Sequence, residues 1–415
     1  MWVEILTKTA DFGMLYIIGN EEDKMKKTYK LFSVLLAVLL CFSAVGCDAP
    51  VQKQQSNAVT PEKTEPSAKE RAEKILSAMS LSDMVYQMLF ITPEALTGIG
   101  LAVAAGETTK NALAQYPVGG LIYFAGNFQD RVQTKQMLEN TQAYAKIPLF
   151  LAVDEEGGRV SRLGDNPAMG TTKQPPMQKI GETGDATKAY AVGKVLAADL
   201  KALGLNVNFA PDADVLLHEE NTEIGDRAFG TDAEVVSAMV ANVVKGLEDN
   251  GVSSTLKHFP GHGSTYVNSH NGTSESKRTL EELRKNELLP FQAGIAAGAD
   301  FIMVSHMTLV NAGIEKVPCS VSEAVITDLL KDELGYKGIV ITDSFQMGAI
   351  TQLYTAGQAA VKAVQAGVDM LLMPEDFKAA HAAILQAVER GEIAQARIEE
   401  SVKKILALKI EKGLL

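Results

Sequence analysis

Eight short β-prone runs recur down the body of this chain, each followed by a stretch with helical character, and this alternation constrains the fold more than any other feature. The runs are Tyr86–Ile91, Val118–Phe124, Pro148–Val153, Asn206–Ala210, Val252–Leu256, Phe301–Val304, Gly338–Ile341 and Val368–Met373. Between them the apolar period changes from two to that of a helix. Over Asp232–Asn250, residues Val236, Val240, Val243, Val244 and Leu247 share one face and Gly251 stops the helix. A second helix is predicted to open on a capping box, Ser320-Val321-Ser322-Glu323, and to end at Gly335, and an amphipathic helix over Arg397–Leu408 closes the sequence. Strands alternating with helices make parallel βαβ units, and eight of them predict an α/β fold, a single (β/α)8 TIM-type barrel with no second α/β domain. An open doubly wound sheet would want a glycine-rich phosphate turn after its first strand, and Ile91-Thr92-Pro93-Glu94 offers none.

A barrel gathers its functional groups where strands end and loops begin. Polar residues stand there after strands three to eight: Asp154-Glu155-Glu156, Asp212 with Asp214, Lys257-His258, Ser305-His306, Thr342-Asp343-Ser344 and Glu375-Asp376. Asp212 and Asp214 read as structural. Three of the six histidines, His258, His262 and His270, fall within fourteen residues of one loop. His258 and His262 have the spacing of a helical zinc pair, but Pro260, Gly261 and Gly263 forbid a helix there, so no metal and no cofactor is expected. A net charge of -12 with no basic stripe argues against a nucleic-acid partner. Of the cysteines only Cys319 lies in the body, where it reads as a small buried hydrophobe.

The N-terminal residues read as an address. Met25-Lys26-Lys27-Thr28-Tyr29-Lys30 supplies a positive flank to an uncharged run over 31–46, the pattern of a secretory signal peptide starting at Met25. It ends in Ala44-Val45-Gly46-Cys47, which resembles a bacterial lipoprotein box with Cys47 as the lipidated residue. The expected organisation is therefore an upstream extension over 1–24, a lipoprotein signal peptide over 25–46, a polar tether over 47–68 and the (β/α)8 barrel domain over 69–415. The product would be exported, with a lipid anchor on the outer side of the cell membrane as its only membrane contact.

Several motifs, in order, resemble those of glycoside hydrolase family 3: Asp154-Glu155-Glu156-Gly157-Gly158-Arg159-Val160, Asn208-Phe209-Ala210-Pro211, Gly225-Asp226-Arg227-Ala228-Phe229-Gly230, Lys257-His258-Phe259-Pro260-Gly261-His262-Gly263 and Thr342-Asp343-Ser344-Phe345. The histidine loop points to the β-N-acetylglucosaminidase branch. The resemblance implies a retaining exo-enzyme that releases terminal β-linked GlcNAc from peptidoglycan fragments or related glycans. It implies Asp343 as nucleophile, His270 as acid/base, and sugar contacts from Asp154, Arg162, Arg227, Lys257 and His258. Imidazole suits the acid/base role because its ordinary pKa of about 6.5 lets it give and take a proton near neutrality. The aspartate that partners this histidine in the branch is replaced by Asn268, which can orient the ring without a full charge to stabilise imidazolium. Two alternatives stay open: an N-acetylglucosaminide phosphorylase, since a histidine does not repel phosphate as a carboxylate would, and a catalytically impaired glycan-binding lipoprotein.

Overall fold

The computed structural model describes residues 66–265 and 274–415. The expectations for Cys47, the leader and most of the tether, and those for Asn268 and His270, lie outside the described residues. The barrel strands are β1 (Leu89–Ile91), β2 (Gly120–Tyr123), β3 (Phe150–Val153), β4 (Val207–Asn208), β5 (Ser253–Phe259), β6 (Phe301–Val304), β7 (Ile339–Thr342) and β8 (Leu371–Leu372). All neighbours are parallel and follow chain order around the ring. Leu89 of β1 pairs with Leu371 of β8, and a bridge between Ile341 and Met370 closes the circle. The fold is therefore the eight-stranded parallel barrel with surrounding helices that the alternation predicted.

The short β4 is held by side chains that imitate backbone. Asn206 accepts from Leu151 N (2.9 Å) and donates to Leu149 O (3.0 Å), while Asn208 accepts from Glu155 N (3.0 Å) and donates to Glu155 O (2.9 Å). Each amide supplies the donor and acceptor that a longer ladder would have provided. Inside the barrel, Phe150 of β3 meets Phe301 of β6 with ring centroids 5.2 Å apart, although these strands are not neighbours, so the contact crosses the lumen. The end opposite the mouth is closed by the last helix, Gln395–Glu411, whose buried Lys409 donates to Gln87 Oε1 (2.8 Å) and lies 5.0 Å from the Phe150 ring.

Helix Ala233–Glu248 is capped by Asp232, which accepts from Glu234 N (2.8 Å), and buries all five predicted apolar residues. It packs closely on helix Ala186–Leu203 because a Cβ at Gly193 would stand 2.4 Å from Val243 O. Two expectations need correction. The capping box at Ser320 does not form: Cys319–Val321 is a 3-10 turn, the helix starts at Ala324 as a π-helix to Glu333, and the Ser320 hydroxyl bonds His306 Nδ1 at 2.8 Å. A fully buried imidazole left unpaired would cost more than an uncapped helix start, so the hydroxyl goes to the ring. The fifth strand also runs past Leu256 to Phe259, with a register shift between those two residues, so Lys257 and His258 belong to the strand. Cys319 is buried as expected, and burial raises its thiol pKa.

Candidate active site

The acidic run after β3 sorts by strand alternation. Asp154 and Glu156 line a cavity of about 760 Å³ at the barrel mouth, and Glu155 points away from it. Glu155 accepts from Ser161 Oγ, from the backbone N–H groups of Arg162 and Leu163 (both 2.7 Å) and from Gly164 N (3.2 Å), so it builds the turn that carries Arg162. Arg162 in turn lies 3.9 Å from Asp154 Oδ2 and 6.0 Å from the Phe124 ring centre on the cavity wall.

Glu156, 1% exposed in its side chain, is the hub of the cavity wall. Arg227 grips it with Nε and Nη2, both at 2.8 Å, and Lys257 Nζ reaches Glu156 Oε1 at 2.6 Å and Asp154 Oδ1 at 2.8 Å. Burial alone would raise the Glu156 carboxyl, but Arg227 and Lys257 overcome it and hold the pKa far below the usual range. Burial likewise works against charge on Lys257, and Asp154 with Glu156 reverses the effect and raises its pKa. The wall therefore stays charged on both sides.

Arg227 does not pair with its neighbour Asp226. Asp226 instead accepts from Arg159 Nε at 2.9 Å, and Arg159 Nη2 also donates to the carbonyls of Thr222 (2.7 Å), Glu223 (2.5 Å) and Ile224 (3.1 Å). Arg159 thus clamps the loop that presents Arg227. His258 completes this side of the wall: its Nδ1 is 2.8 Å from Asp214 Oδ2 and its Nε2 is 3.3 Å from Arg227 Nη2. Burial, then the Arg227 charge, lowers its pKa. The ligand atoms of Asp212, Asp214 and His258 lie close enough together to suit a cation, but Arg227 Nη2, 3.4 Å from Asp212 Oδ2, already brings a positive charge to that place.

Asp343 stands at the end of β7 and lines the opposite wall. As a lone residue it could have capped the next helix, but that helix, Gly348–Thr351, starts after Met347, and among the described residues Asp343 Oδ1 accepts the adjacent Ser344 N (2.7 Å). Its pKa is set by burial, which raises it, against His306, His258, the Ser344 amide and Lys257, which together lower it. His306, expected at the mouth without a role, is held between Ser320 Oγ and Ser344 O (2.9 Å), directly beside Asp343 in the chain. Of Asp154, Glu156 and Asp343, only Asp343 makes no ion pair among the described residues.

The structure therefore brings Asp154, Arg162, Arg227, Lys257, His258 and Asp343 to one cavity, as the sequence led us to expect. Glu156 and Arg159 were not singled out in the sequence. The signal for Glu156 was available, since it lies two residues from Asp154 on an extended segment and so faces the same way. Arg159 gave no local signal, because its partners are more than sixty residues away in the chain.

The barrel mouth is thus lined by fixed charged donors and acceptors, with Asp343, unpaired among the described residues, facing them, a chemistry that suits hydroxyl-rich ligands. The chain belongs to the family described as the glycosyl hydrolase family 3 N-terminal domain, whose profile matches residues 80–408. Beta-hexosaminidase A of Pseudoalteromonas piscicida is 35% identical over 329 residues, covering 72% of this chain and 54% of that protein. The Beta-hexosaminidase of Stenotrophomonas maltophilia (strain R551-3) is 37% identical over 285 residues, covering 66% of this chain and 82% of the relative. Among solved structures, a glycoside hydrolase family 3 beta-N-acetylglucosaminidase from Paenibacillus sp. str. FPU-7 superposes with a TM-score of 0.76 at 37% identity, over 81% of this chain and 63% of that one. The chain thus spans about half of the first of these relatives and under two thirds of the structural one.

Proposed function

We propose that this protein is a retaining exo-β-N-acetylglucosaminidase that removes terminal β-linked GlcNAc from peptidoglycan fragments or related glycans. The observation that carries the reading is Asp343: a half-buried carboxylate with lowered pKa, unpaired among the described residues, facing a wall of paired charges. A nucleophile must be ionised and must keep its lone pairs for the substrate, and Asp343 meets both conditions where Asp154 and Glu156, consumed in ion pairs, do not. In this scheme Asp343 Oδ attacks the anomeric carbon while His270 protonates the departing glycosidic oxygen. His270 then takes a proton from water as that water displaces Asp343 from the glycosyl-enzyme, restoring the original configuration. Lys257, Arg227, Arg162, Asp154 and His258 hold the sugar hydroxyls and the N-acetyl group.

The test is release of p-nitrophenol from its β-N-acetylglucosaminide by the barrel domain, with and without phosphate, together with mass spectrometry of a glycosylated Asp343 peptide trapped by a fluorinated substrate. No turnover and no adduct would refute it, whereas release of sugar 1-phosphate would make phosphate the acceptor and the protein a phosphorylase. The lipoprotein-box pattern at Cys47 supports export and lipid anchoring, and membrane association that persists in Cys47→Ser would refute the anchor.

A further inference from the structure

Beneath the Lys257–His258 pair lie two fully buried carboxylates, Asp212 and Asp214, whose hydrogen bonding is unequal. Among the described residues Asp214 accepts two backbone N–H groups, His262 N on Oδ1 at 2.5 Å and His258 N on Oδ2 at 3.3 Å, and its Oδ2 also lies 2.8 Å from His258 Nδ1. Asp212 collects one, from Asp214 N at 2.9 Å on Oδ1. Its Oδ2 accepts no hydrogen bond among the described residues, although Arg227 Nη2 lies 3.4 Å away. The facing oxygens of the two carboxyl groups lie within 4.8 Å of each other. Adjacent buried carboxylates do not both ionise, and an ionised oxygen with no donor is the costlier place for the charge.

We propose that the pair holds one proton, carried on Asp212 and donated to Asp214, and that Asp214 is a positioning residue that fixes His258 as the neutral Nδ1–H tautomer. Every group in the chain then has a complement. The Asp212 hydroxyl donates to Asp214, Asp214 accepts from His258 Nδ1–H, His258 Nε2 accepts from Arg227 Nη2 (3.3 Å), and Arg227 donates to Glu156. Guanidinium has no acceptor, so the other tautomer would set N–H against N–H. Burial pushes both carboxyls up, Asp212 further through the Asp214 charge and Asp214 against the pull of its N–H donors, in keeping with one proton held by the pair. The fixed tautomer gives the wall a defined polarity: Lys257 can only donate and neutral His258 adds no positive charge. This role in ligand recognition rests on the reading of Lys257 and His258 as sugar contacts.

The experiment is long-range ¹H–¹⁵N correlation of the imidazole rings in histidine-labelled protein at pH 7, with His258 assigned by the signals lost in His258→Gln. The tautomer is read on the free protein and so does not depend on any substrate. His258 is expected neutral with Nδ1 protonated, unchanged in Asp212→Asn, whose amide has the shape and donor of a protonated acid, and altered in Asp214→Asn. With the N-acetylglucosaminide, Asp214→Asn is expected to raise KM about tenfold or more, the loss of a hydrogen bond to a charged group, and Asp212→Asn to leave it within about threefold. An Nε2–H tautomer or an imidazolium in the wild type would overturn the proposal, as would equal spectral effects of the two variants. Should Asp214→Asn fail to fold, the wild-type and Asp212→Asn spectra decide alone.

Discussion

Replacing Glu156 with Gln isolates the contribution of burial to the charged wall. Glu156 takes two bonds from Arg227 at 2.8 Å and one from Lys257 at 2.6 Å, with its side chain 1% exposed. Glutamine keeps one acceptor oxygen and turns an NH2 group toward donors that cannot accept. Among the described residues Lys257 then keeps one carboxylate partner, Asp154, and Arg227 loses its bidentate carboxylate, keeping the Glu223 carbonyl (3.1 Å), His258 Nε2 (3.3 Å) and the 3.4 Å contact with Asp212. Breaking one side of such a buried pair costs about 3–5 kcal/mol, because the partner charges stay desolvated. The Arg159–Asp226 pair has nearly the same length, 2.9 Å, but its side chains are 45% and 40% exposed. Asp226→Asn should therefore cost less than about 1 kcal/mol. Urea unfolding of both variants at pH 7 provides the comparison. Equal losses, or a loss under about 1 kcal/mol for Glu156→Gln, would refute the argument that burial sets the strength of this wall.

Three further outcomes are expected. Asp343→Asn should lower turnover of a β-N-acetylglucosaminide by at least about a thousandfold while sugar binding persists, since the wall opposite is untouched; kinetics with ligand titration check both. Asn268→Asp should raise turnover or move the acid limb of the pH–rate profile, because a full charge stabilises imidazolium on His270 better than an amide does, and unchanged kinetics would mean another group already does so. Burial lowers the Lys409 pKa from 10.5 to about 7, so between those values the unfolded chain binds the extra proton and stability rises with pH. The slope from this one group is at most about 1.4 kcal/mol per pH unit, and urea midpoints at pH 7 and 9.5 should show it in the wild type and not in Lys409→Met.

The barrel was legible in the sequence because each strand and helix buries a face of its own, and that need writes a period into neighbouring residues. Val236, Val240, Val243, Val244 and Leu247 declare their helix without reference to anything distant. The gathering of Asp154, Lys257 and Asp343 at one mouth followed too, since parallel strands put all their C-terminal ends on the same side. What the tertiary structure alone decided was pairing. Arg227 took Glu156, seventy-one residues away, over adjacent Asp226; Ser320 gave its hydroxyl to His306 instead of a helix start; and Asp214 came to hold His258. Hydrogen bonds and ion pairs depend on distances of a few ångströms between residues that the fold brings together, and chain spacing records no such distance. Local burial leaves a pattern in the sequence, whereas the choice of partner is made only once the barrel has closed.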